Sequence, residues 1–135
     1  MGTKLEAIEG IGPAYAAKLI QAGVSTAEDL LEKAKTAKGR DMLAQASGVA
    51  EKLILGFANK VDLTRVKGIG AEYADLLEAA GVDTVPELAR RVPANLVAKL
   101  AEANEKVKRV TRLPAESEVA RWVEFAKSLP RVIEH

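Results

Sequence analysis

The feature that most constrains this fold is an internal repeat, in which residues 8–34 align with residues 66–92 at a shift of 58 positions. Eleven of the 27 aligned positions are identical, far more than unrelated segments share. Such a repeat predicts one supersecondary unit that occurs twice in the chain. The identical pairs are Gly10/Gly68, Ile11/Ile69, Gly12/Gly70, Tyr15/Tyr73, Ala16/Ala74, Leu19/Leu77, Ala22/Ala80, Gly23/Gly81, Val24/Val82, Thr26/Thr84 and Leu30/Leu88.

A weaker similarity continues at a shift of 47, where Lys52-Leu53 aligns with Lys99-Leu100 and Thr64-Arg65 with Thr111-Arg112. It predicts about 11 extra residues in the first copy, within Lys35–Gly48. With 135 residues the chain has the size of one ordinary domain. We therefore expect a first unit over residues 1–64 and a second over residues 65–135, packed as one compact body.

Both copies have the periodicity of helices joined by tight turns. Apolar residues recur at helical spacing in each copy, and Ala22-Gly23-Val24 is typical of a helix end. Thr26 and Thr84 stand where helix N-caps are expected. A further helix is predicted between Pro114 and Pro130. The sequence predicts an all-α fold of about ten short helices without a sheet, with Leu19, Leu30, Leu77, Leu88 and Trp122 buried.

Each copy opens on a glycine-rich segment, called here the first glycine turn (Ile8–Gly12) and the second glycine turn (Val66–Gly70). Both turns and the residues after them fit the pattern apolar-x-Gly-apolar-Gly-x-x-x-Ala-x-x-Leu, which resembles the helix-hairpin-helix motif. Ser47-Gly48-Val49-Ala50 and Val92-Pro93-Ala94-Asn95 look like degenerate second hairpins. The resemblance implies two tandem paired helix-hairpin-helix (SAM-like) units with internal pseudo-symmetry. The whole layout is similar to a bacterial family of about this length whose function is unknown.

The helix-hairpin-helix resemblance implies binding of a DNA phosphate by hairpin amides without sequence reading, with a monovalent cation at a hairpin only when DNA is bound. Unpaired amides at a helix N-terminus are a suitable anion site. The residues carried over are Gly10, Ile11 and Gly12 in the first turn, and Gly68 and Gly70 in the second.

The sequence departs from the DNA-binding pattern at the two places where such hairpins have basic residues. The first copy has Ala14 and Lys18 there, and the second has Glu72 and Leu76. Acidic residues in the first turn of a helix stabilise its dipole but repel a phosphate. The sequence therefore favours Lys18 and the first turn for DNA contact, and a structural role for the second turn.

Two clusters of basic residues offer further phosphate contacts. The first contains Lys33, Lys35, Lys38 and Arg40, and the second contains Arg90, Arg91, Lys99, Lys106, Lys108, Arg109 and Arg112. From the second cluster we predict that Lys106, Lys108, Arg109 and Arg112 belong to the nucleic-acid-binding site. The alternative is that these runs are solvated helix faces.

Charge and composition limit the other possibilities. The net charge of +1 is not that of a strongly basic nucleic-acid binder, so any binding must come from a local patch. Aromatic residues do not alternate with the basic ones, and Tyr15 and Tyr73 are expected in the core with backbone partners for their hydroxyls. The absence of cysteine and of a long apolar stretch predicts a cytoplasmic protein without a membrane span. No lipid anchor is expected, because Glu6 stands where a myristoylation signal has Ser or Thr.

Catalysis is not expected. The only histidine is His135, the last residue, and the glycine turns are not dinucleotide-binding motifs because Tyr15 occupies the third glycine position. No catalytic residue, metal ligand or cofactor is predicted. The carboxylates in the repeat are explained by helix capping.

Three functions remain open. The first is a non-enzymatic module that binds DNA weakly and without sequence specificity, through the first hairpin and the basic residues near Lys106–Arg112. The second is a protein–protein interaction scaffold, in which the hairpins are structural and an apolar groove binds a partner. The third is an accessory domain that acts beside an enzyme encoded elsewhere.

Overall fold

Eight α-helices and one short 3-10 helix form the regular structure of the computed structural model, which describes residues 2–135. Within that range there is no β-strand, only a single bridge between Lys4 and Thr26. The all-α prediction is therefore confirmed. The helices are the 3-10 helix Leu5–Ala7, α1 (Pro13–Gln21), α2 (Ala27–Ala34), α3 (Ala37–Ser47), α4 (Glu51–Leu63), α5 (Ala71–Ala79), α6 (Val85–Ala89), α7 (Pro93–Lys106) and α8 (Glu116–Lys127).

The predicted count of about ten helices is wrong because several helices are longer than expected. Helices α4 and α7 run without a break for 13 and 14 residues. Residues 107–115 and residues 128–135 contain no helix. The predicted helix between Pro114 and Pro130 is confirmed as α8. In the part of the chain that the structure describes, no helix is long and apolar enough to cross a membrane.

The helix ends follow the local sequence in the first copy. Helix α1 ends in a Schellman motif, in which the Gly23 N–H bonds the Ile20 carbonyl and the Val24 N–H bonds the Leu19 carbonyl at 2.9 Å. Helix α2 starts at the predicted N-cap, where the Thr26 hydroxyl accepts the N–H of Asp29 at 3.1 Å. The turn that follows α1 is thus fixed at both ends.

The second copy repeats the Schellman motif but not the side-chain cap. Thr84 precedes α6, yet its hydroxyl makes no capping hydrogen bond. Instead the Glu87 carboxylate accepts the N–H of Asp83 at 3.2 Å. The expected N-cap position is correct here, but Glu87 bonds the residue before the cap and not an amide of α6.

Contacts divide the chain into two compact units. The first unit ends at Asp62 and also includes the tail Val132–His135, and the second is Leu63–Arg131. In the tail, Ile133 is buried in the first core and the Glu134 N–H bonds the Lys35 carbonyl at 2.7 Å. These residues lie in the first unit although the repeat assigns them to the second copy.

Each unit has its own hydrophobic core. The first is built on residues such as Leu19, Leu30 and Ile54, and the second on residues such as Leu77 and Leu88. All residues that the sequence predicted to be buried are confirmed as core, because none is more than 3% exposed: Leu19, Leu30, Leu77, Leu88 and Trp122.

The order of the helices shows that the second copy, not the first, contains the extra residues. At the shift of 58, α3 aligns with α7, and each contacts the first helix of its copy. The fourth helices, α4 and α8, follow loops of different length, because residues 48–50 precede α4 and residues 107–115 precede α8. The predicted insertion within Lys35–Gly48 is wrong, because that stretch contains α3, the counterpart of α7. The two segments interpreted as second hairpins are likewise not counterparts.

Candidate functional site

The two glycine turns have the same backbone. Gly10 and Gly68 have φ values of +93° and +98°, a region that favours glycine. The N–H of the next residue, Ile11 or Ile69, bonds the carbonyl three residues earlier at 3.1 Å in both turns. Both isoleucines are buried. Of the predicted site residues, Ile11 is thus a core residue that holds the first turn in place.

The second glycine of each turn is not required by the fold. Gly12 and Gly70 are the N-cap residues of α1 and α5, with φ values of −86° and −92° that any residue adopts. A Cβ atom built on either would meet nothing within 4 Å. Neither helix has a side-chain cap, whereas Thr26 and Thr36 cap α2 and α3. Both glycines are exposed, so their helix N-termini are open to an external anion.

The last helix of the first unit, α4, lies against the first glycine turn. The Lys60 ammonium donates a 3.0 Å hydrogen bond to the Glu9 carbonyl. The Lys60 Nζ and the Phe57 ring lie 3.5 and 3.4 Å from the position that a Gly10 Cβ would take. Lys60 is buried, so its charge lies under the turn. The sequence gave no sign of this contact, which joins residues 51 positions apart.

In the second unit α8 takes the corresponding position. The Trp122 indole nitrogen lies 2.9 Å from where a Gly68 Cβ would stand, so the turn leaves no room for a side chain there. The Trp122 ring contacts Tyr73 with a centroid distance of 5.2 Å, much as Phe57 contacts Tyr15 at 5.6 Å. An aromatic residue from the last helix therefore supports each turn.

The charges beside the two turns differ. Lys18, the predicted motif cation, is exposed on α1. Its counterpart position in α5 is occupied by buried Leu76, and the exposed Glu72 and half-buried Asp75 lie on the same helix. Only the first turn is thus followed by a helix that carries a basic residue.

The predicted basic residues near the end of α7 are mostly paired with acids. Arg109 makes a 3.0 Å ion pair with Asp75, and the Lys106 ammonium lies 3.5 Å from the Glu102 carboxylate. The Arg109 pair brings this segment against α5, the helix that follows the second glycine turn. Lys108 is exposed just beyond the end of α7.

Arg112, the last of these residues, is held in a two-bond ion pair. Its guanidinium donates to both carboxylate oxygens of Glu118, at 2.9 and 3.1 Å. These bonds, together with the N–H of Ala115, lower the pKa of Glu118 to about 2. The Arg112 carbonyl accepts the Tyr73 hydroxyl at 2.9 Å. The expected backbone partner of Tyr73 is therefore confirmed, and the Arg112 charge is largely neutralised.

Several other residues of the two basic clusters bond within the protein, some of them at helix ends. Buried Arg40 donates to the Ala34 carbonyl at 2.9 Å, and Arg91 donates to the Gly81 carbonyl at 3.0 Å. Lys35 forms a 2.9 Å ion pair with Glu32. Because these side chains bond within the protein, they are less available to a phosphate. Residues 2–135 also contain no group of three or more His, Cys, Asp or Glu side chains that could hold a metal ion.

Comparison with known proteins gives the family but no function. No curated protein and no solved structure is similar enough to the chain to count as a match. A family model with the description "Domain of unknown function (DUF4332)" matches residues 9–129. Because this span includes the second glycine turn, all but the first residue of the first, and all eight α-helices of the described residues, the protein belongs to that family.

Proposed function

We propose that the protein is a non-enzymatic, tandem helix-hairpin-helix module that binds the phosphate backbone of DNA without reading its sequence. The contact is made by the first glycine turn and the N-terminal amides of α1. The equal backbones of the two turns and the aromatic support behind each favour the helix-hairpin-helix assignment.

The observation that carries this proposal is the glycine at position 12. Its φ of −86° and the open space around it leave the fold no need for glycine, yet both copies have one at this place. A glycine that the fold does not need suits a place where another backbone approaches closely. The uncapped amides of α1 then face the incoming phosphate, and the helix dipole favours its charge.

Charge selects the first turn over the second. Lys18 is exposed on α1, whereas the exposed Glu72 on α5 repels a phosphate and Asp75 is paired with Arg109. In the second unit, Lys106, Arg109 and Arg112 are engaged by carboxylates, which leaves Lys108 as the most available of the predicted cations. With about three phosphate contacts, binding is weak, micromolar or poorer, and strongly salt-dependent.

A Gly12→Asp substitution tests the proposal. Aspartate is a good N-cap residue, so it maintains or slightly raises the stability of α1 while its carboxylate occupies the amides and repels phosphate. We expect the affinity for duplex DNA, measured by fluorescence anisotropy at about 50 mM salt, to fall at least about tenfold. The thermal midpoint should not fall, which separates lost contact from misfolding.

Gly70→Asp is the matched control, because it makes the same change at the second turn. We expect it to alter DNA affinity little, since Glu72 already repels phosphate there. Wild-type protein that does not bind DNA at about 50 mM salt, where a phosphate contact is strongest, would refute the proposal. So would a Gly12→Asp protein that binds as well as the wild type.

The non-enzymatic part of the proposal rests on the sequence. The chain has no cysteine, and its one histidine is the last residue, so the sequence offers neither a thiol nucleophile nor an internal histidine as general base. We propose no cofactor, apart from a monovalent cation at the hairpin when DNA is bound. The protein is expected to act in the cytoplasm.

A second candidate function is a protein–protein interaction scaffold. The first unit has an open cavity of about 350 Å³ between the end of α1, α2 and α3, lined by Ala22, Lys33, Gly39, Met42, Leu43 and Ala46. Met42 is 60% exposed at this cavity, and methionine suits adaptable apolar contacts. If DNA does not bind, this cavity is the better candidate, and a Met42→Glu substitution should abolish association with the partner.

A further inference from the structure

A cleft in the second unit lies beside the second glycine turn and is called here the α8 cleft. It has a volume of about 340 Å³ and is lined by Lys67, Gly68, Glu118, Arg121, Trp122 and Phe125. This volume lies at the lower end of the range for small-ligand pockets, about 300–1,000 Å³. None of the lining residues belongs to the first turn or to the DNA site proposed above.

The floor of the α8 cleft contains a polar group without a partner. Trp122 is only 3% exposed, and its indole nitrogen lies at the Gly68 backbone. The Trp122 N–H makes no hydrogen bond among the described residues, and its nitrogen is not one of the buried unpaired atoms, so it is accessible at the surface of the cleft. The α8 cleft therefore offers one fixed hydrogen-bond donor to a ligand.

The charge of the α8 cleft is positive. Lys67 and Arg121 are exposed at the cleft and, within residues 2–135, neither makes an ion pair. Glu118 is the only acid of the lining, and both of its oxygens are bonded to Arg112. Arg121 also interacts electrostatically with Glu118, but Arg112 is the main partner of that carboxylate, so Lys67 and Arg121 leave the lining with a net positive charge that attracts an anion.

The same cleft also has an exposed aromatic ring. Phe125 is 40% exposed and follows Arg121 by one helical turn of α8, so the ring and the guanidinium lie on the same helix face. An exposed ring beside cations provides a stacking surface for a neutral planar group that is linked to an anion. Neither a metal ion nor a purely apolar ligand would use all three features.

We propose that the α8 cleft binds a nucleoside phosphate, with the base stacked on Phe125 and the phosphate bound by Lys67 and Arg121. The Trp122 N–H supplies a hydrogen bond to an oxygen or ring nitrogen of the ligand. The ligand is either a free mononucleotide or one unstacked nucleotide of a single strand. The site is independent of the first glycine turn, so Gly12→Asp leaves it intact.

Intrinsic fluorescence provides the test, because Trp122 is the only tryptophan of the chain. The full chain is titrated with deoxyadenosine monophosphate, with deoxyadenosine, with inorganic phosphate and with a single-stranded oligodeoxyadenylate. We expect a saturable change in emission with the nucleotide at up to about 10 mM, and at least about tenfold weaker binding of the nucleoside and of phosphate alone. An oligonucleotide that binds more tightly than the mononucleotide identifies a single strand as the source, and equal or weaker binding identifies the free nucleotide.

Two substitutions connect the signal to the cleft. Arg121→Gln removes a charge and Phe125→Leu removes the ring but keeps an apolar side chain, and each should weaken nucleotide binding about tenfold. Arg90→Gln, which removes an exposed cation of the same unit outside the cleft, is the control and should bind like the wild type. Thermal midpoints show that the variants are folded. The proposal is overturned if the nucleotide gives no saturable change, if phosphate alone binds equally well, or if both cleft variants bind normally.

Discussion

The first and second glycine turns share a backbone but differ in what the last helix of each unit brings to them. Gly10 lies over the Phe57 ring and the Lys60 ammonium, whereas Gly68 lies over the Trp122 indole. In the first turn, the buried Lys60 ammonium bonds the Glu9 carbonyl and places a positive charge beside the backbone. The unbonded indole N–H leaves a donor at the second. The repeat thus fixes the turn, and residues outside the aligned segments determine its chemistry.

The positions of basic and acidic surface residues are also reversed between the two copies. The residue before the first glycine is Glu9 in one copy and Lys67 in the other, while the following helices carry Lys18 and Glu72 respectively. In the first copy the cation is on the helix, and in the second it is on the turn. We infer that the copies offer phosphate groups different approaches, from the helix N-terminus in the first and from the α8 cleft in the second.

The largest expected effect concerns the cores behind the two turns. Leu19 and Leu77 occupy the same position of the repeat and neither has any exposed surface. Replacing either by alanine should reduce the free energy of unfolding by about 2–5 kcal/mol, through lost burial and a residual cavity. Urea unfolding measures this, with Ile20→Ala at a 54% exposed position as the control. A Leu77→Ala protein as stable as the wild type would contradict the second core.

The next effect distinguishes the two glycines within one turn. At Gly68 the positive φ and the indole 2.9 Å from a new Cβ should make alanine cost about 1–3 kcal/mol in unfolding free energy. Gly10→Ala should cost less, because the nearest atom lies at 3.4 Å. Gly70→Ala should cost little, since φ is ordinary and the space is open. Thermal unfolding that ranks these variants differently would refute the geometry of the turns.

The agreement between sequence and structure is best where the determinants are local. Gly23 and Thr26 fix helix ends through bonds to residues at most five positions away, and the sequence identifies both. The buried positions follow from helical spacing in the same way. The number of helices depends on whether long helices are interrupted, and no single residue decides this. The position of the extra residues became clear only when α3 was aligned with α7.

The candidate sites depend on contacts between distant residues, which the sequence does not encode locally. Lys60 bonds the carbonyl of Glu9 and Arg109 pairs with Asp75, across 51 and 34 positions. The run from Lys106 to Arg112 has the composition of a basic surface, but its acidic partners lie on α5, α7 and α8. Phe125 and Arg121 are spaced for one helix face, and only the fold brings them to the second turn.

A smaller effect tests the exchange of charge between the turns. Lys18→Glu reverses the cation on α1, and Glu72→Lys replaces the acid on α5 with a base. The first should weaken DNA binding and reduce the magnitude of the salt slope by about one unit, and the second should strengthen binding. Anisotropy titrations at several salt concentrations measure both. Both residues are exposed, so stability should change by less than about 0.5 kcal/mol. Equal binding by the two variants would show that the turns do not differ as proposed.

The smallest effect concerns the ion pair that balances Glu118 at the α8 cleft. The bonds from Arg112 hold the pKa of Glu118 at about 2, below its ordinary value of 4.5. Since the folded pKa is the lower one, the pair stabilises the folded chain fully above about pH 4.5, and this contribution is lost as the pH falls towards about 2. Glu118→Gln removes it at every pH, so the thermal midpoints of wild type and variant should differ near pH 7 and converge across that window. The difference should be small because the pair is solvent-exposed. Glu102→Gln, which removes a carboxylate with a single 3.5 Å contact, is the control for loss of an acid from a helix surface. A difference that stayed constant down to about pH 2 would show that Glu118 acts through packing rather than charge, and the positive charge assigned to the α8 cleft would then need revision.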